Sequence, residues 1–506
     1  MAGAAGPYPA GMPDPNRPFF AARIAALAAL LLFAAATRAT ADTCSALIVA
    51  DVPGAKITSA AAVAAAGDLP AHCRVQGTIP QAIHFELRLP LTGWNGKFYM
   101  AGCGGFCGSL EADRPGVVNA LNHGLRRGYA SATSDSGHAG TSVTDGRWAL
   151  DNPGAEADWG WRSVTETARV SRDLVLAFYQ RPAAHSYFAG CSTGGRMGLM
   201  SAQRFPQDFD GIIAGAPALD YTGLVATQAA WYVQANTDAA GRELLDRAKV
   251  PLIARAVMEA CDAVDGQRDG LIDDPRRCDW QPSRLQCTGP DGPDCLTARE
   301  IGVLDHWYMP VTGGDGQVLY PGGAPKGSEP FWPVWLSGMP GSKQPALMER
   351  FAIDFLRYMA FVPDAGEAFD VRRYDFDRDP ARLATMSRIY DAVDPDLSEF
   401  RERGGKLLLF HGWADPIVTP QRTLDYYDTV RARMGGNEST ARFARLFMLP
   451  GVDHCGLQPG PGAKSLEFDP LPALEAWVER NEAPDLLQVR WQMNDASVRS
   501  RDVKAQ

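Results

Sequence analysis

Beyond residue 36 the 506-residue sequence has no uninterrupted apolar run of the roughly 20 residues that a membrane-spanning helix needs. An excess of basic residues is also missing. Against 59 Asp and Glu stand 49 Lys and Arg, a formal charge of −10, which argues against nucleic-acid binding. Internal repeats and low-complexity tracts are absent. With 46% hydrophobic and 21% charged residues, the composition is that of a globular protein, not a disordered, coiled-coil or collagen-like one. No paired C-x-x-C motifs with histidines at ligand spacing occur, which argues against zinc. Histidine is scarce, eight in all, and that scarcity narrows the choice of a general base.

What is present begins with a leader. Arg17 and Arg23 precede the apolar run IAALAALLLFAAA at Ile24 to Ala36, and Ala39-Thr40-Ala41 supplies small residues before Asp42. A run this short suits a secretory signal peptide over residues 1–41 with an A-x-A cleavage site, not an anchor. Its removal takes away three arginines and one aspartate, moving the formal charge from −10 to −12. The mature protein is therefore expected to be secreted or periplasmic, without membrane attachment or nucleic-acid partner. Its oligomeric state is left open. All ten cysteines lie downstream, at 44, 73, 103, 107, 191, 261, 278, 287, 295 and 455, and an even number in an exported chain reads as disulfides. Close spacing pairs Cys103 with Cys107, Cys261 with Cys278, and Cys287 with Cys295; Cys44 and Cys73 are also expected to be bridged.

Alternation in HFELRLP at 84–90 predicts a strand, with KFYM at 97–100 as the next and the two forming an antiparallel pair. Short apolar runs at 128–135, 186–190, 209–217, 406–412 and 445–451 suit buried strands. A helix is predicted over 163–180, opened by Ser163 and Glu166 at capping-box spacing. Another follows Thr419-Pro420, with threonine capping and proline in the first turn. Strands alternating with helices imply an α/β fold with a mainly parallel sheet. Between Pro217 and about Leu397 this regularity is lost among prolines, glycines, tryptophans and four cysteines. The chain is thus divided into a first core part (42–217), an insertion (218–397) and a second core part (398–506).

Gly190-Cys191-Ser192-Thr193-Gly194 fits G-x-S-x-G between a predicted strand and a predicted helix, the context of a nucleophile elbow. A serine hydroxyl needs a base, and only His306, His411 and His454 follow it. His306 lies in the insertion, whereas His454 follows the strand RLFMLPG. The acid belongs between serine and histidine in chain order. Asp415 ends a predicted strand and fits; Asp453, adjacent to the histidine, would have difficulty reaching its far ring nitrogen. Cys191 precedes Ser192 and Cys455 follows His454, so bringing serine and histidine together also brings these cysteines toward disulfide distance.

The set Cys191-Ser192, Asp415 and His454-Cys455 resembles the tannase and feruloyl esterase family, as do the phrases FPQDFDGIIAGAPA and HGWADPIV and the cysteine-rich insertion. The resemblance spans most of the mature chain. It implies an α/β-hydrolase core with a large inserted lid domain, acting as a serine esterase on carboxylic esters of aromatic acids: feruloyl, galloyl or terephthalate half-esters. Ser192 would attack, His454 would shuttle the proton, and Asp415 would orient the imidazole. The N–H of Thr193, with that of Gly104 or Gly105 in GCGGFCG, would hold the oxyanion. Other readings keep the triad for a different acyl ester or for acyl transfer to an alcohol, or make the chain a non-catalytic binding protein.

The loop CDAVDGQRDGLIDDPRRC reads from its residues either as a solvated acidic loop or as a hard-cation site where Asp262, Asp265, Asp269 and Asp273 converge, off EF-hand spacing. The resemblance implies a structural calcium there, with backbone carbonyls of Gln267 and Leu271. No organic cofactor is expected. Near Asp415, His411 and Trp413 are candidate substrate contacts, and Arg357-Tyr358 is a further candidate in the insertion.

Overall fold

The computed structural model describes residues 1–3, 42–110, 113 and 120–506; residues 4–41 of the predicted leader lie outside them. A nine-stranded sheet is built from β1 (Lys56–Val63), β2 (His72–Ile79), β3 (Ile83–Pro90), β4 (Lys97–Ala101), β5 (Ala130–Ser134), β6 (His185–Cys191) and β7 (Gly211–Gly215). After the insertion, which carries the small hairpin β8 (Val311–Thr312) and β9 (Val318–Tyr320), come β10 (Lys406–Gly412) and β11 (Ala444–Leu449). The order is β1-β2-β3-β5-β4-β6-β7-β10-β11. The first pairings, through β3–β5, are antiparallel, and those from β5 to β11 are parallel.

Strands β4 to β7, β10 and β11 are buried almost throughout, as expected of parallel strands covered on both faces. Their alternation feeds two cores. Phe98, Met100, Phe188, Ile212, Leu407 and Leu409 join one, while Tyr99, Ala101, Tyr187, Ala189, Ile213 and Leu408 join the other. Helices Ser163–Tyr179 and Thr193–Arg204 pack on the sheet, as do Pro420–Arg433 and Leu471–Arg480. The chain ends in a separate antiparallel sheet of β12 (Ala463–Glu467), β13 (Leu486–Met493) and β14 (Val498–Lys504).

Three expectations are corrected. β3 and β4 do not pair: β5 lies between them, antiparallel to β3 and parallel to β4, because the chain leaves β4 through the 102–108 loop and re-enters the sheet in the gap. Ser163 does not cap its helix. A π-helical turn at Asp158–Arg162 runs straight into it, and Glu166 instead meets Arg169. Thr419 precedes its helix in extended conformation without a capping bond, its hydroxyl donating to Pro321 O.

Between β7 and β10 no described strand joins the main sheet. Its buried residues join the first of the two cores, continuous with Phe98, Phe188 and Leu407 of the sheet; there Trp280, Trp307 and Trp332 are fully buried and the rings of Trp307 and Trp332 lie 5.2 Å apart. Its aromatics therefore serve largely as packing. The bridges Cys261–Cys278 and Cys287–Cys295 close two of its loops, as expected, and Cys44–Cys73 ties the N-terminal segment to β2.

Arg196, on the helix after Ser192, is fully buried. Its guanidinium donates to the carbonyls of Gly160, Tyr390 and Trp159 and lies 4.1 Å from the Trp159 ring centroid. Removing it takes a buried charged donor away from three carbonyls and leaves a cavity beside Trp159, which costs about 3 kcal/mol. Arg196→Ala is expected to lower Tm by about 3 °C in a thermal melt, and an unchanged Tm would contradict this role.

Candidate active site

The elbow is built by close packing. Ser192 has φ 65° and ψ −124°, a conformation that non-glycine residues hold only when their surroundings over-determine it. Its N–H donates to Gly215 O at 3.0 Å, and its carbonyl accepts from Arg196 N at 3.0 Å. The flanking glycines are required. A Cβ on Gly190 would fall 2.5 Å from the Gly194 carbonyl carbon, and one on Gly195 2.4 Å from Gly215 O. The turn leaves Ser192 partly exposed at the start of its helix.

Asp415 lies just beyond β10, wholly buried. Its Oδ1 accepts from the N–H groups of Ile417 and Val418 at 3.0 and 2.9 Å, and its Oδ2 lies 2.6 Å from His454 Nδ1. Burial acts to raise its pKa, but the His454 charge and the hydrogen bonds from His411 and His454 overcome this and hold it at about 2. Asp415 is therefore ionised, and with Nδ1–H directed at it the His454 ring keeps Nε2 free.

His454 must return across the sheet to meet Ser192, since β7 and β10 separate β6 from β11. The loop after β11 does so over the end of β10. Ala414 N donates to Val452 O at 3.0 Å, and a Cβ on Gly412 would sit only 2.2 Å from that oxygen. Cys191 and Cys455 are disulfide-bonded with α-carbons 5.9 Å apart. Ser192 and His454 each lie one backbone step of about 3.8 Å from this bridge. From the insertion, Trp335 stands edge-on to the His454 ring at 5.3 Å; nothing local in the sequence marked it.

Thr193 is the first residue of its helix, so its N–H has no intrahelical partner. Its hydroxyl donates to Gly105 O at 2.7 Å, which brings the loop carrying Gly104 and Gly105 against the elbow. Gly105 has φ 58°. The Cys103–Cys107 bridge closes this loop.

Other expected residues fall elsewhere. His411 does not line the site: it is fully buried, with Nδ1 2.9 Å from Thr423 Oγ1 and Nε2 2.8 Å from Val418 O and 3.2 Å from Asp415 Oδ2. It backs Asp415. Trp413 packs beneath the Arg276 guanidinium, 4.9 Å away, in a cleft shared with Ile272 and Phe331 that neither Ser192 nor His454 lines. Arg357 donates to Phe369 O and lines an insertion cavity with Glu349 and Arg247, again without Ser192 or His454; Tyr358 is buried. Asp453 accepts from Gln458 N, and burial raises its pKa well above the carboxylate range.

In the acidic loop, Asp262 Oδ1 accepts from the N–H groups of Asp269 and Gly270, Asp265 Oδ1 from Gln267 N, and Asp269 Oδ1 from Leu271 N. Asp269 is also paired with Arg501. Asp265 Oδ2 and Asp273 Oδ1 are buried without a hydrogen-bond donor; burial first, then the Asp265 charge, raises the Asp273 pKa. Among the described residues no three His, Cys, Asp or Glu side chains converge as a metal cage, and no helix is long and apolar enough to cross a membrane.

A sequence model described as tannase and feruloyl esterase matches residues 68–505. The chain is 34% identical to an uncharacterized esterase of Xanthomonas campestris pv. campestris, covering 93% of this chain and 87% of that one. It is 33% identical to the mono(2-hydroxyethyl) terephthalate hydrolase of Piscinibacter sakaiensis, over 84% of this chain and 79% of the other. The crystal structure of feruloyl esterase B from Aspergillus oryzae superposes with a TM-score of 0.79 at 26% identity, covering 92% and 95% of the two chains. An α/β-hydrolase sheet with a nucleophile elbow, extended by these likenesses over nearly the whole described chain, means that the protein belongs to the tannase and feruloyl esterase family of carboxylic ester hydrolases.

Proposed function

We propose that the protein is an exported serine esterase of aromatic carboxylic esters working through an acyl-enzyme. The observation that carries this is the buried 2.6 Å bond between Asp415 and His454, on a histidine whose neighbour Cys455 is bridged to the residue before Ser192. Ser192 Oγ attacks the ester carbonyl as His454 Nε2 takes its proton. Asp415 holds the imidazolium that forms. The N–H of Thr193, with one from the Gly104–Gly105 segment, stabilises the oxyanion. On collapse His454 protonates the departing alcohol; water, deprotonated by the same nitrogen, then releases the acid and restores Ser192.

The acyl group is aromatic in this reading, supported by likeness to a feruloyl esterase. Terephthalate half-esters are a second candidate, favoured by the 33% identity to a mono(2-hydroxyethyl) terephthalate hydrolase. Export is supported by five disulfides. A structural calcium on the acidic loop belongs to the same reading. Asp262, Asp265 and Asp269, with carbonyls of Gln267 and Leu271, are the hard oxygen donors such an ion takes; Asp265 Oδ2 and Asp273 Oδ1 lack a hydrogen-bond donor, and the neighbouring cation is Arg501, paired with Asp269 and 3.8 Å from Asp273 Oδ1.

Ser192→Ala is expected to abolish hydrolysis of methyl ferulate, methyl gallate and mono(2-hydroxyethyl) terephthalate while leaving Tm unchanged; retained turnover would sink the nucleophile. Because the folded-state pKa of Asp415 is depressed to about 2 from an ordinary 3.9, its stabilising contribution is full above pH 4 and lost as pH falls toward 2. Asp415→Asn should therefore lose less Tm than wild type between pH 5 and 2, and parallel losses would contradict the assignment. For the metal, excess calcium should raise Tm over an EGTA-treated sample, and Asp265→Asn with Asp273→Asn should erase that difference. Equal melts with and without calcium would remove the ion from the account.

A further inference from the structure

Disulfide Cys103–Cys107 differs from the other four in span: it joins residues only four apart, with α-carbons 5.5 Å from each other, whereas Cys191–Cys455 spans 264. The stabilisation a crosslink brings through the unfolded chain grows with the loop it closes. A bond across four residues therefore does least for global stability, and its consequence is local.

That locality is the glycine loop beside Ser192. The bond encloses Gly104, Gly105 and Phe106, and both cysteines are buried. Cys103 Sγ lies 3.3 Å from Ser136 Oγ and 3.8 Å from Met197 Sδ, between the turn after β5 and the helix that starts at Thr193. Outside the bridge, Gly102 N donates to Ala189 O on β6 at 2.9 Å and Gly108 N to Asp135 O at 3.0 Å. Inside it, Phe106 N donates to Val143 O, Thr193 Oγ1 to Gly105 O, and the Phe106 ring meets Phe351 of the helix Leu347–Tyr358 at 5.2 Å. Two consecutive glycines give a backbone with wide freedom, and Gly105 and Cys107 are both held at positive φ, 58° and 65°. Oxyanion stabilisation requires the opposite of freedom: donors fixed before the charge forms, about 2.7–3.1 Å from where it will sit.

We propose that the Cys103–Cys107 disulfide is a positioning device for the oxyanion donors, holding the Gly104–Gly105 backbone against Thr193 so that its loss slows turnover without weakening ground-state substrate binding. The inference rests on the acyl-enzyme reading of Ser192, and the experiment separates the two. Cys103→Ser with Cys107→Ser, and independently Cys103→Ala with Cys107→Ala, are compared with wild type on whichever of the three esters wild type hydrolyses. Readouts are kcat, KM, Tm, inhibition by phenylboronic acid as a tetrahedral serine adduct, and labelling of Ser192 by a fluorophosphonate.

The expected result is a kcat lower by about 10- to 100-fold, KM within about twofold, a boronate inhibition constant raised in step with the kcat loss, and Tm within about 3 °C of wild type. A folded double variant with wild-type kcat overturns the proposal, as does a kcat loss matched by an equal rise in KM. If neither variant folds, the bond is a folding element and the proposal is wrong. A wild type that the fluorophosphonate does not label overturns the acyl-enzyme reading, and this inference with it; a labelled wild type with an unimpaired double variant removes this inference alone.

Discussion

Everything at the site depends on returning the loop after β11 across the carboxyl end of the sheet to the end of β6. Two strands stand between them, and neighbouring strands lie about 4.8 Å apart, so no local turn brings His454 to Ser192. Three features make the crossing possible. Gly412 leaves room for the loop backbone, Val452 O is fixed by the N–H of Ala414, and the Cys191–Cys455 bond closes the far end. Asp415 then meets the histidine from the strand being crossed. The proposed nucleophile, acid and base thus come from three strand ends, and the disulfide is the covalent link between the two most widely separated.

Adjacency made this legible in the sequence. A cysteine directly before a candidate nucleophile and another directly after a candidate base carry long-range information that single motifs lack, because one covalent bond of fixed length then limits two side chains at once. The elbow is also readable, since the packing that excludes a Cβ at Gly190, against Gly194, is a local property of strand, turn and helix. Buried parallel strands announced themselves as apolar runs for the same reason.

What stayed hidden is non-local. Whether β3 pairs with β4 or with β5 depends on where the chain re-enters the sheet, which alternation cannot reveal. A capping box is a pattern of four residues, and Ser163 carries that pattern in a place where a π-helical turn already precedes it. His411 is close to Asp415 in sequence, but strand periodicity puts it on the face of Leu407 and Leu409, both in the core. There its two ring nitrogens are occupied, and Nε2 lies 3.2 Å from Asp415 Oδ2. Trp335 reaches His454 from a segment with no regular pattern to read.

The insertion supplies both the ring beside His454 and the helix against the glycine loop, so its packing touches both. The central claim is that Ser192 forms a covalent acyl intermediate with His454 as its base. The most direct measurement is peptide mapping by mass spectrometry of enzyme quenched in acid during turnover of a hydrolysed aromatic ester. The account predicts the acyl group on the peptide carrying Ser192, absent from His454→Ala quenched at the same time. An acyl group on another residue, or equal acylation of the His454→Ala variant, would contradict it.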